Sequence, residues 1–400
     1  MSSKENDPKT AIEFFKYRAG ALSPAKMGGW QSTRPMKGQQ SLFSGILLSS
    51  EVSLIYLNEN KDLRYSSLLC YFNSGSMKEL ISKMLAGDKL SLARLITSVE
   101  KESPGVPEIM AAIYSYTGRA YCIGITGPPG GGKSTLVDKL TAVARGKGLE
   151  VGIIAVDPTS PFSGGAVLGD RIRMQQHYLD EGVFIRSMAT RGSQGGLPRT
   201  AGSVIKLLDA FGKDVIFVET VGVGQTELDI METVDTVIVI LVPEAGDTIQ
   251  TMKAGLLEIA DIFVVNKADR PGADYLVAEL EIMLHQSPKQ SWWQVPVIAT
   301  QAINDIGTKE LYQQIEHHYQ ALEQCGKLAL RRRQQRKADL FRTIEHRIMA
   351  QVVELIERDG QLTGYLEKVE RGEVDPYSAA REILSNRTLV EGWLQRLKGD

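Results

Sequence analysis

The stretch from Gly127 to Ser134 constrains the fold of this chain more than any other feature. It reads Gly-Pro-Pro-Gly-Gly-Gly-Lys-Ser, and it stands between an apolar run that predicts a strand and a segment that predicts a helix. This is the strand, G-x-x-x-x-G-K-[ST] loop and helix of a phosphate cradle. The glycines let backbone N–H groups converge on a phosphate chain, and the amino end of the helix adds a positive dipole. The sequence therefore predicts a nucleotide site.

Every residue of this loop is a candidate contact to the nucleotide. Lys133 is expected to reach the β and γ phosphates as a point charge, and Ser134 to offer its hydroxyl to Mg²⁺. The other candidates in the loop and the first helical turn are Gly127, Pro128, Pro129, Gly130, Gly131, Gly132 and Thr135.

Composition excludes several classes of function. The 400 residues have room for two or three domains, and the net charge of −2 argues against a general nucleic-acid or membrane-surface binder. The chain has no unbroken apolar run of about 18 residues, and its first residues have no apolar core of a secretory signal. Three scattered cysteines make neither a disulfide framework nor a Cys-x-x-Cys metal pair. We therefore expect a cytoplasmic protein that binds no nucleic acid and no membrane.

Between residues 121 and 300, apolar strand-like runs alternate with helical segments such as Thr248–Ile259 and Ala273–Leu284. Such repeated βα units predict an α/β domain with a doubly wound, mostly parallel sheet, whose ligands lie at the carboxyl ends of the strands. The predicted strands are Tyr121–Ile125, Gly152–Val156, Val183–Arg186, Val215–Glu219, Val237–Val242, Ile262–Val265 and Val295–Ala299.

The predicted domains are an uncharacterised N-terminal extension (1–76), a helical segment (77–118), the nucleotide-binding domain (119–308) and a helical C-terminal region (309–400). Residues 1–76 have no motif and no clear periodicity, so we expect an appendage or an artefact of start-codon choice, which the intact mass of the native protein would test. An apolar face predicts helices in 77–115; its members are Leu80, Met84, Leu90, Leu92, Leu95 and Ile96.

The C-terminal region carries an apolar stripe at helical spacing, and it has two interpretations. The stripe packs on its own domain, or it forms an arm that is buried against another chain. Its members are Leu340, Ile344, Ile348, Val352, Leu355 and Ile356. Just before it lies a basic run, which has no interleaved aromatic residue and is therefore predicted to be a solvated helix face. Its members are Arg331, Arg332, Arg333, Arg336 and Lys337.

A second motif, Asn266-Lys267-Ala268-Asp269, follows a predicted strand and indicates which base is bound. The carboxylate of Asp269 can accept hydrogen bonds from the N1–H and the exocyclic amine of guanine, whereas adenine presents an acceptor in place of N1–H. Asn266 would support the loop, and the stem of Lys267 would lie along the base. The motif favours GTP over ATP. Backbone N–H groups of Thr300, Gln301 and Ala302, near the next strand end, are expected to meet guanine O6.

Acidic residues at two strand ends are candidates for sensing the γ-phosphate. Asp157 and Glu219 are placed to hold Mg²⁺ directly or through water. Gly222, three residues after Glu219, can bond the γ-phosphate and release it after hydrolysis. Asp170 and Arg171 form a second candidate loop for metal or phosphate. Together with Lys133, we assign Asp157, Asp170, Glu219 and Gly222 to catalysis.

The residue after the switch glycine predicts the speed of hydrolysis. Small signalling GTPases have a water-positioning glutamine there, whereas this chain has Val223, and Gln225 lies two places further on. We therefore expect slow intrinsic GTP hydrolysis that accelerates when a partner completes the site.

Taken together, these motifs resemble the MeaB/ArgK family of P-loop GTPases, which includes the methylmalonic aciduria type A protein. The resemblance covers roughly residues 77–400. It rests on residues 124–135, 155–161, 164–174, 219–225, 266–269 and 375–380.

The resemblance implies a GTPase that uses GTP/GDP and Mg²⁺ and acts as a chaperone of methylmalonyl-CoA mutase or a related adenosylcobalamin-dependent acyl-CoA mutase. It also implies a homodimer built through the C-terminal helices, which favours the arm interpretation, and an additional switch in the loop Met188–Gly196. Two alternatives are a nickel-type metal-delivery maturation GTPase and a small-molecule kinase of an amino-acid transport system. The five histidines weaken the first, because nickel delivery needs clustered soft ligands and these are dispersed except for His317 and His318, neighbours whose side chains diverge on a helix.

Overall fold

The computed structural model describes residues 56–57, 63–64, 68–157, 174–190, 196–222, 228–243, 256–286, 292–358, 360–388 and 390–391. The chain divides into two units, Met1–Cys70 and Tyr71–Asp400. In the first unit, strand β1 (Tyr56–Leu57) pairs antiparallel with β2 (Leu63–Arg64).

The second unit is built on a parallel sheet, as predicted, and its described strands number seven. Their order across the sheet is β5-β4-β6-β3-β7-β8-β9, and every neighbouring pair is parallel. All seven predicted strands are present, with ends shifted by about three residues or less. They are β3 (Tyr121–Thr126), β4 (Val151–Asp157), β5 (Val183–Ala189), β6 (Val215–Glu219), β7 (Thr236–Leu241), β8 (Ile262–Asn266) and β9 (Val297–Thr300).

Helices cover both faces of this sheet, which is why the central strands β3, β6 and β7 are buried along their whole length. The described helices are α1 (Leu68–Leu85), α2 (Lys89–Glu100), α3 (Val106–Ile113), α4 (Lys133–Gly146), α5 (Ala201–Ala210), α6 (Leu228–Met231), α7 (Leu256–Ile259), α8 (Ala273–Gln286), α9 (Thr308–Gln324), α10 (Lys327–Arg358), α11 (Gly360–Glu370) and α12 (Pro376–Ser385). Helices α4 and α9 pack on one face, whereas α1–α3, α5 and α8 pack on the other.

Two helix predictions are confirmed only in part. Residues 256–259 of the predicted helix Thr248–Ile259 form α7, and the rest of it lies outside the described residues. In α2 the predicted buried face is confirmed except at Leu90, which is 59% exposed. Leu90 precedes the buried Leu92 by two positions, and residues two apart on a helix point to opposite sides.

The prediction that the whole basic run is solvated is wrong for Arg331 and Arg332. Arg331 on α10 pairs with both oxygens of Asp261 at 2.8 and 3.0 Å, and Arg332 pairs with both oxygens of Asp235 at 2.8 and 2.9 Å. Both carboxylates are buried just before β8 and β7. Burial alone would raise the pKa of Asp261, but its contacts with His318 and Arg331 hold that pKa below its ordinary value.

Helix α10 turns its polar face to the nucleotide-binding domain. Further along this face, Asp339 bonds Lys206 on α5 at 2.8 Å, and His346 bonds Glu102 at 3.0 Å. The apolar stripe lies on another face and is exposed, so the interpretation that it packs on its own domain is wrong for its described exposed part. Leu340, Ile344 and Ile348 are 45–58% exposed and Val352 is half-buried, whereas the side chains of Leu355 and Ile356 lie outside the described residues.

Within the described residues, no helix is both long enough and apolar enough to cross a membrane.

Candidate functional site

The carboxyl edge of the sheet brings the predicted site residues together. The phosphate loop follows the central strand β3, and Asp157 and Glu219 end β4 and β6 on one side of it. On the other side, Asn266 and Thr300 end β8 and β9 and lie opposite each other in register. The predicted metal ligands and the predicted base-binding residues therefore lie on opposite sides of β3, along the edge where a nucleotide would bind.

The phosphate loop closes tightly around Lys133. This side chain is 6% exposed, and its ammonium donates to the carbonyls of Gly127 at 3.0 Å and Pro128 at 3.2 Å. Gly127 has φ +142°, and a Cβ there would collide with the carbonyl oxygen of Ile240 on β7. Gly132, the residue before α4, has φ +89°. These positions need glycine because only a residue without Cβ fits the approach.

The metal side of the site holds hard oxygen donors. The Ser134 hydroxyl donates to Glu219 Oε1 at 2.7 Å, and the carboxylate of Glu219 is 3% exposed. Asp157, 6% exposed, ends the neighbouring strand two residues beyond the position paired with Glu219. A hydroxyl with two buried carboxylates is a donor set that suits Mg²⁺. The residues present therefore fit the ion that the loop implies.

The segment after Glu219 contacts the phosphate loop directly. Thr220 Oγ1 donates to Thr126 Oγ1 at 2.9 Å, and the ammonium of Lys133 donates to the Val221 carbonyl at 3.4 Å. Gly222 has φ +80°, and a Cβ there would collide with the Gly127 carbonyl and the Lys133 ammonium. A shift of Gly222 would therefore change the contacts of the Lys133 ammonium.

Replacing Gly222 by alanine is expected to lower the rate of GTP hydrolysis about 10- to 100-fold, because the Cβ both strains the backbone and strikes two fixed groups, at a cost of about 1–3 kcal/mol. Single-turnover phosphate release measures the effect. Gly148→Ala is the matched control: Gly148 also has φ +80°, but its Cβ would meet nothing within 4 Å. Equal rates for the two variants would show that the collision does not matter.

Asn266 joins the base side of the site to the phosphate loop. Its amide nitrogen donates to the Gly131 carbonyl at 2.8 Å, and its amide oxygen accepts from Thr300 Oγ1 and Ala302 N at 3.1 Å. The N–H of Gln301 bonds the Ile306 carbonyl at 3.0 Å. In this arrangement residues 300–302 hold the side chain of Asn266 in place. The predicted contact of these three residues with guanine O6 stays a prediction.

The backbone after Asn266 turns sharply. Lys267 has φ +58°, which is uncommon for a residue with a Cβ and is often found at functional sites. The N–H of Ala268 bonds the Thr300 carbonyl at 3.0 Å, which ties the turn to β9. Asp269 is exposed at the end of this turn, where its carboxylate is accessible to a base.

Several predicted residues lie outside the described part of the chain. These are Asp170, Arg171, Val223 and Gln225, together with residues 191–195 of the predicted additional switch.

Sequence reasoning missed a buried carboxylate on α4. Asp138 is 6% exposed, lies one helical turn after Ser134, and accepts a hydrogen bond from Gln176. His177 Nε2 lies 3.3 Å from its carboxylate. The bond to Asp138 raises the pKa of His177, and although burial would raise the pKa of Asp138, the bonds from His177 and Gln176 lower it. The sequence did offer one indication, because Asp138 lies four residues after Ser134 and therefore on the same face of α4.

Comparison with known proteins agrees with this geometry. The family model described as methylmalonyl Co-A mutase-associated GTPase MeaB matches residues 92–357, a range that contains every candidate site residue. The chain belongs to the MeaB family of GTPases. Membership of the MeaB family carries guanine-nucleotide binding with it, and the role of Asp269 in selecting the base stays a prediction.

Relatives of the MeaB family match most of the chain. A putative GTPase of Pyrococcus abyssi is 53% identical over 309 residues, which cover 76% of this chain and 95% of the relative. The mitochondrial methylmalonic aciduria type A homolog of Mus musculus is 34% identical over 235 residues, 57% of this chain and 56% of that protein. A crystal structure of an LAO/AO transport system kinase superposes with a TM-score of 0.59 at 29% identity, covering 77% of this chain and 96% of that chain.

Proposed function

We propose that this MeaB-family GTPase is a chaperone of an adenosylcobalamin-dependent acyl-CoA mutase, with methylmalonyl-CoA mutase as the client. In this proposal GTP binding and hydrolysis gate delivery of the cofactor to the mutase and protect the enzyme. The observation that carries the proposal is the match to the mutase-associated family over residues 92–357. The methylmalonic aciduria name of the mouse relative supports the same client.

The site geometry supports a switch at the phosphates. Lys133 contacts both the phosphate loop and the Val221 carbonyl, so the segment Thr220–Gly222 and the loop share one ammonium group. In our proposal the ammonium binds the β and γ phosphates of GTP, and the N–H of Gly222 bonds the γ-phosphate until it is hydrolysed. Loss of that bond would then release the segment and change the surface presented to the mutase.

Ser134, Asp157 and Glu219 are the described residues that would hold Mg²⁺. The bound ion would neutralise charge that develops on the phosphates. The Ser134 hydroxyl is held beside the carboxylate of Glu219 by a hydrogen bond. Because no glutamine follows Gly222 directly, we propose slow intrinsic hydrolysis and stimulation by the mutase.

Binding of purified methylmalonyl-CoA mutase to the immobilised chain tests the proposal. We expect the dissociation constant to differ at least about fivefold between GDP and a non-hydrolysable GTP analogue, the range typical of coupled sites, and hydrolysis to accelerate with the mutase present. Gly222→Ala should remove the nucleotide dependence, whereas Gly148→Ala should keep it. If the chain binds nucleotide but retains no mutase in either state, the chaperone proposal is wrong.

We also propose that the chain is a homodimer in which a second copy covers the exposed face of α10. The polar face of this helix is already engaged with its own domain through Arg331, Arg332 and Asp339, so the apolar stripe is left for a partner. Exposed leucine and isoleucine side chains along one helix face favour a protein interface over a solvated surface.

Replacing Ile344 by glutamate is expected to raise the dimer dissociation constant at least about tenfold, because a charge would be buried without a partner. Sedimentation velocity of the full chain across a concentration series measures it. Thr343→Glu is the control, since this exposed neighbour bonds its own helix at Asp339 O and does not belong to the stripe. A monomeric wild type, or equal dissociation constants for both variants, would remove the proposal.

A further inference from the structure

A cavity of about 600 Å³ opens at the end of the sheet opposite to the phosphate loop. Tyr121 and Val215, the first residues of β3 and β6, line it. Since β3 rises about 3.3 Å per residue, the cavity lies roughly 20 Å from Gly127. Its lining shares no residue with the candidate nucleotide site. A ligand in this cavity would therefore be distinct from the nucleotide.

The lining of the cavity offers apolar and aromatic surface to a ring. Ile123, Val215 and Ile315 provide an apolar surface, and the rings of Tyr121 and Tyr319 meet edge to face with centroids 4.6 Å apart. The volume falls in the range of about 300–1,000 Å³ that small-molecule sites occupy. Aromatic side chains favour stacked or edge-to-face contact with another ring.

The carboxylates that line the cavity are already engaged within the protein. Each accepts a hydrogen bond from a backbone N–H or an ammonium group, which lowers its capacity to bind a cationic ligand. The donors to Asp209, Asp214 and Glu316 are, in that order, the Ala120 N–H, the Glu150 N–H and the Lys147 ammonium. The lining ammonium of Lys213 is likewise engaged, donating to Glu150 at 2.8 Å.

Besides the exposed side chains of Tyr116 and Gln320, two donors that line the cavity remain available. The guanidinium of Arg119 is exposed, and neither an ion pair nor a hydrogen bond links it to another described residue. Tyr312 is 3% exposed as a whole residue, and its hydroxyl reaches the accessible surface and has no hydrogen-bond partner among the described residues. Burial raises the pKa of Tyr312 to about 12, so the hydroxyl remains a protonated donor at neutral pH. The lining groups that have no hydrogen-bond partner are therefore mainly donors, and they suit a ligand that carries an anionic acceptor.

We propose that this cavity binds a small planar aromatic carboxylate, with its ring among the tyrosines and its carboxylate at Arg119 and Tyr312. The proposal rests on the cavity and its donors alone, and it is independent of the mutase chaperone proposal.

Titration calorimetry of the full chain saturated with GDP tests it, with 2-naphthoate as the probe. We expect one site that binds 2-naphthoate at least about tenfold more tightly than 2-naphthylmethylammonium or 2-naphthylmethanol, which share the ring and lack the carboxylate. Retention of affinity in saturating GDP separates this site from the nucleotide site.

Two conservative variants locate the probe. Arg119→Gln should weaken 2-naphthoate binding about tenfold, and Tyr312→Phe about fivefold, because each removes one donor and keeps most of the side-chain volume. Arg333→Gln and Tyr275→Phe are matched controls at exposed positions outside the lining and should leave the affinity unchanged. The proposal is overturned if the ammonium probe binds as tightly as the carboxylate, or if both lining variants keep wild-type affinity.

Discussion

Replacing Asp269 by asparagine is expected to lower the affinity for GTP at least about a hundredfold, a loss of about 2.8 kcal/mol. The carboxylate of Asp269 is predicted to accept two hydrogen bonds from guanine, whereas an asparagine amide offers one acceptor and would place its NH₂ group against the exocyclic amine. Two donors then face each other, and both lose hydration without gaining a partner.

The same substitution is expected to favour xanthine. Xanthine has a carbonyl where guanine has the amine, so the asparagine amide can accept from N1–H and donate to that carbonyl. Fluorescence titration with GTP, XTP and ITP measures the change. Wild type should bind ITP more weakly than GTP, because inosine lacks the amine, and Asp269→Asn should bind XTP more tightly than GTP.

A nearby acid provides the control. Asp274 lies in the first turn of α8, five residues after Asp269. Asp274→Asn makes the same chemical change as Asp269→Asn at a position outside the predicted base-binding motif. This variant should keep the wild-type order of GTP over ITP and XTP. If Asp269→Asn instead retains wild-type affinity for GTP, the carboxylate does not bind the base, and guanine selection must arise elsewhere on this edge of the sheet.

Replacing Arg332 by alanine is expected to lower the free energy of unfolding by about 3–5 kcal/mol, the usual cost of removing one partner of a buried ion pair. Its guanidinium, 17% exposed, holds both oxygens of Asp235, which is itself 3% exposed, and donates to the Gly118 and Ala120 carbonyls at 2.6 and 2.8 Å. The variant leaves these acceptors, including a buried charge, without the guanidinium.

Urea unfolding followed by circular dichroism measures the loss as a lower midpoint. Arg333→Ala is the matched control, because Arg333 is the next residue of the same basic run and is exposed. That change should cost about 0.5 kcal/mol or less, as surface substitutions usually do. Similar midpoints for the two variants would mean that the pairing of Arg332 with Asp235 does not stabilise the fold.

The grouping of the candidate site residues at one edge of the sheet was predictable because its determinants are local. A glycine-rich loop between a strand and a helix specifies its own backbone shape, and parallel strands place their carboxyl ends on one edge. Asp157, Glu219 and Asn266 could therefore be grouped from strand ends alone. The contact of Asn266 with the Gly131 carbonyl was not predictable in the same way, since it joins residues 135 positions apart.

The basic run shows where sequence reasoning lacked information. Arg331, Arg332 and Arg333 look alike in the sequence, and their environments differ only because Asp261 and Asp235 meet the first two from 70 and 97 positions away. The apolar stripe of α10 was ambiguous for a related reason. Periodicity defines an apolar face of a helix, but the partners of the opposite face decide whether that apolar face is turned inward or outward.

The contacts of Asn266 also bear on which substitutions could change the nucleotide that the chain prefers. This side chain holds the phosphate loop at Gly131 and the β9 end at Ala302, so a substitution there would disturb the phosphate grip together with the base pocket. Asp269 is exposed three residues further on, beyond the sharp turn at Lys267. We therefore expect a substitution at position 269 to change the base preference and to leave phosphate binding intact, whereas one at position 266 would weaken both. On this expectation a single substitution at 269 could change which base a related protein prefers, whereas a substitution at 266 would lower the affinity for any nucleotide.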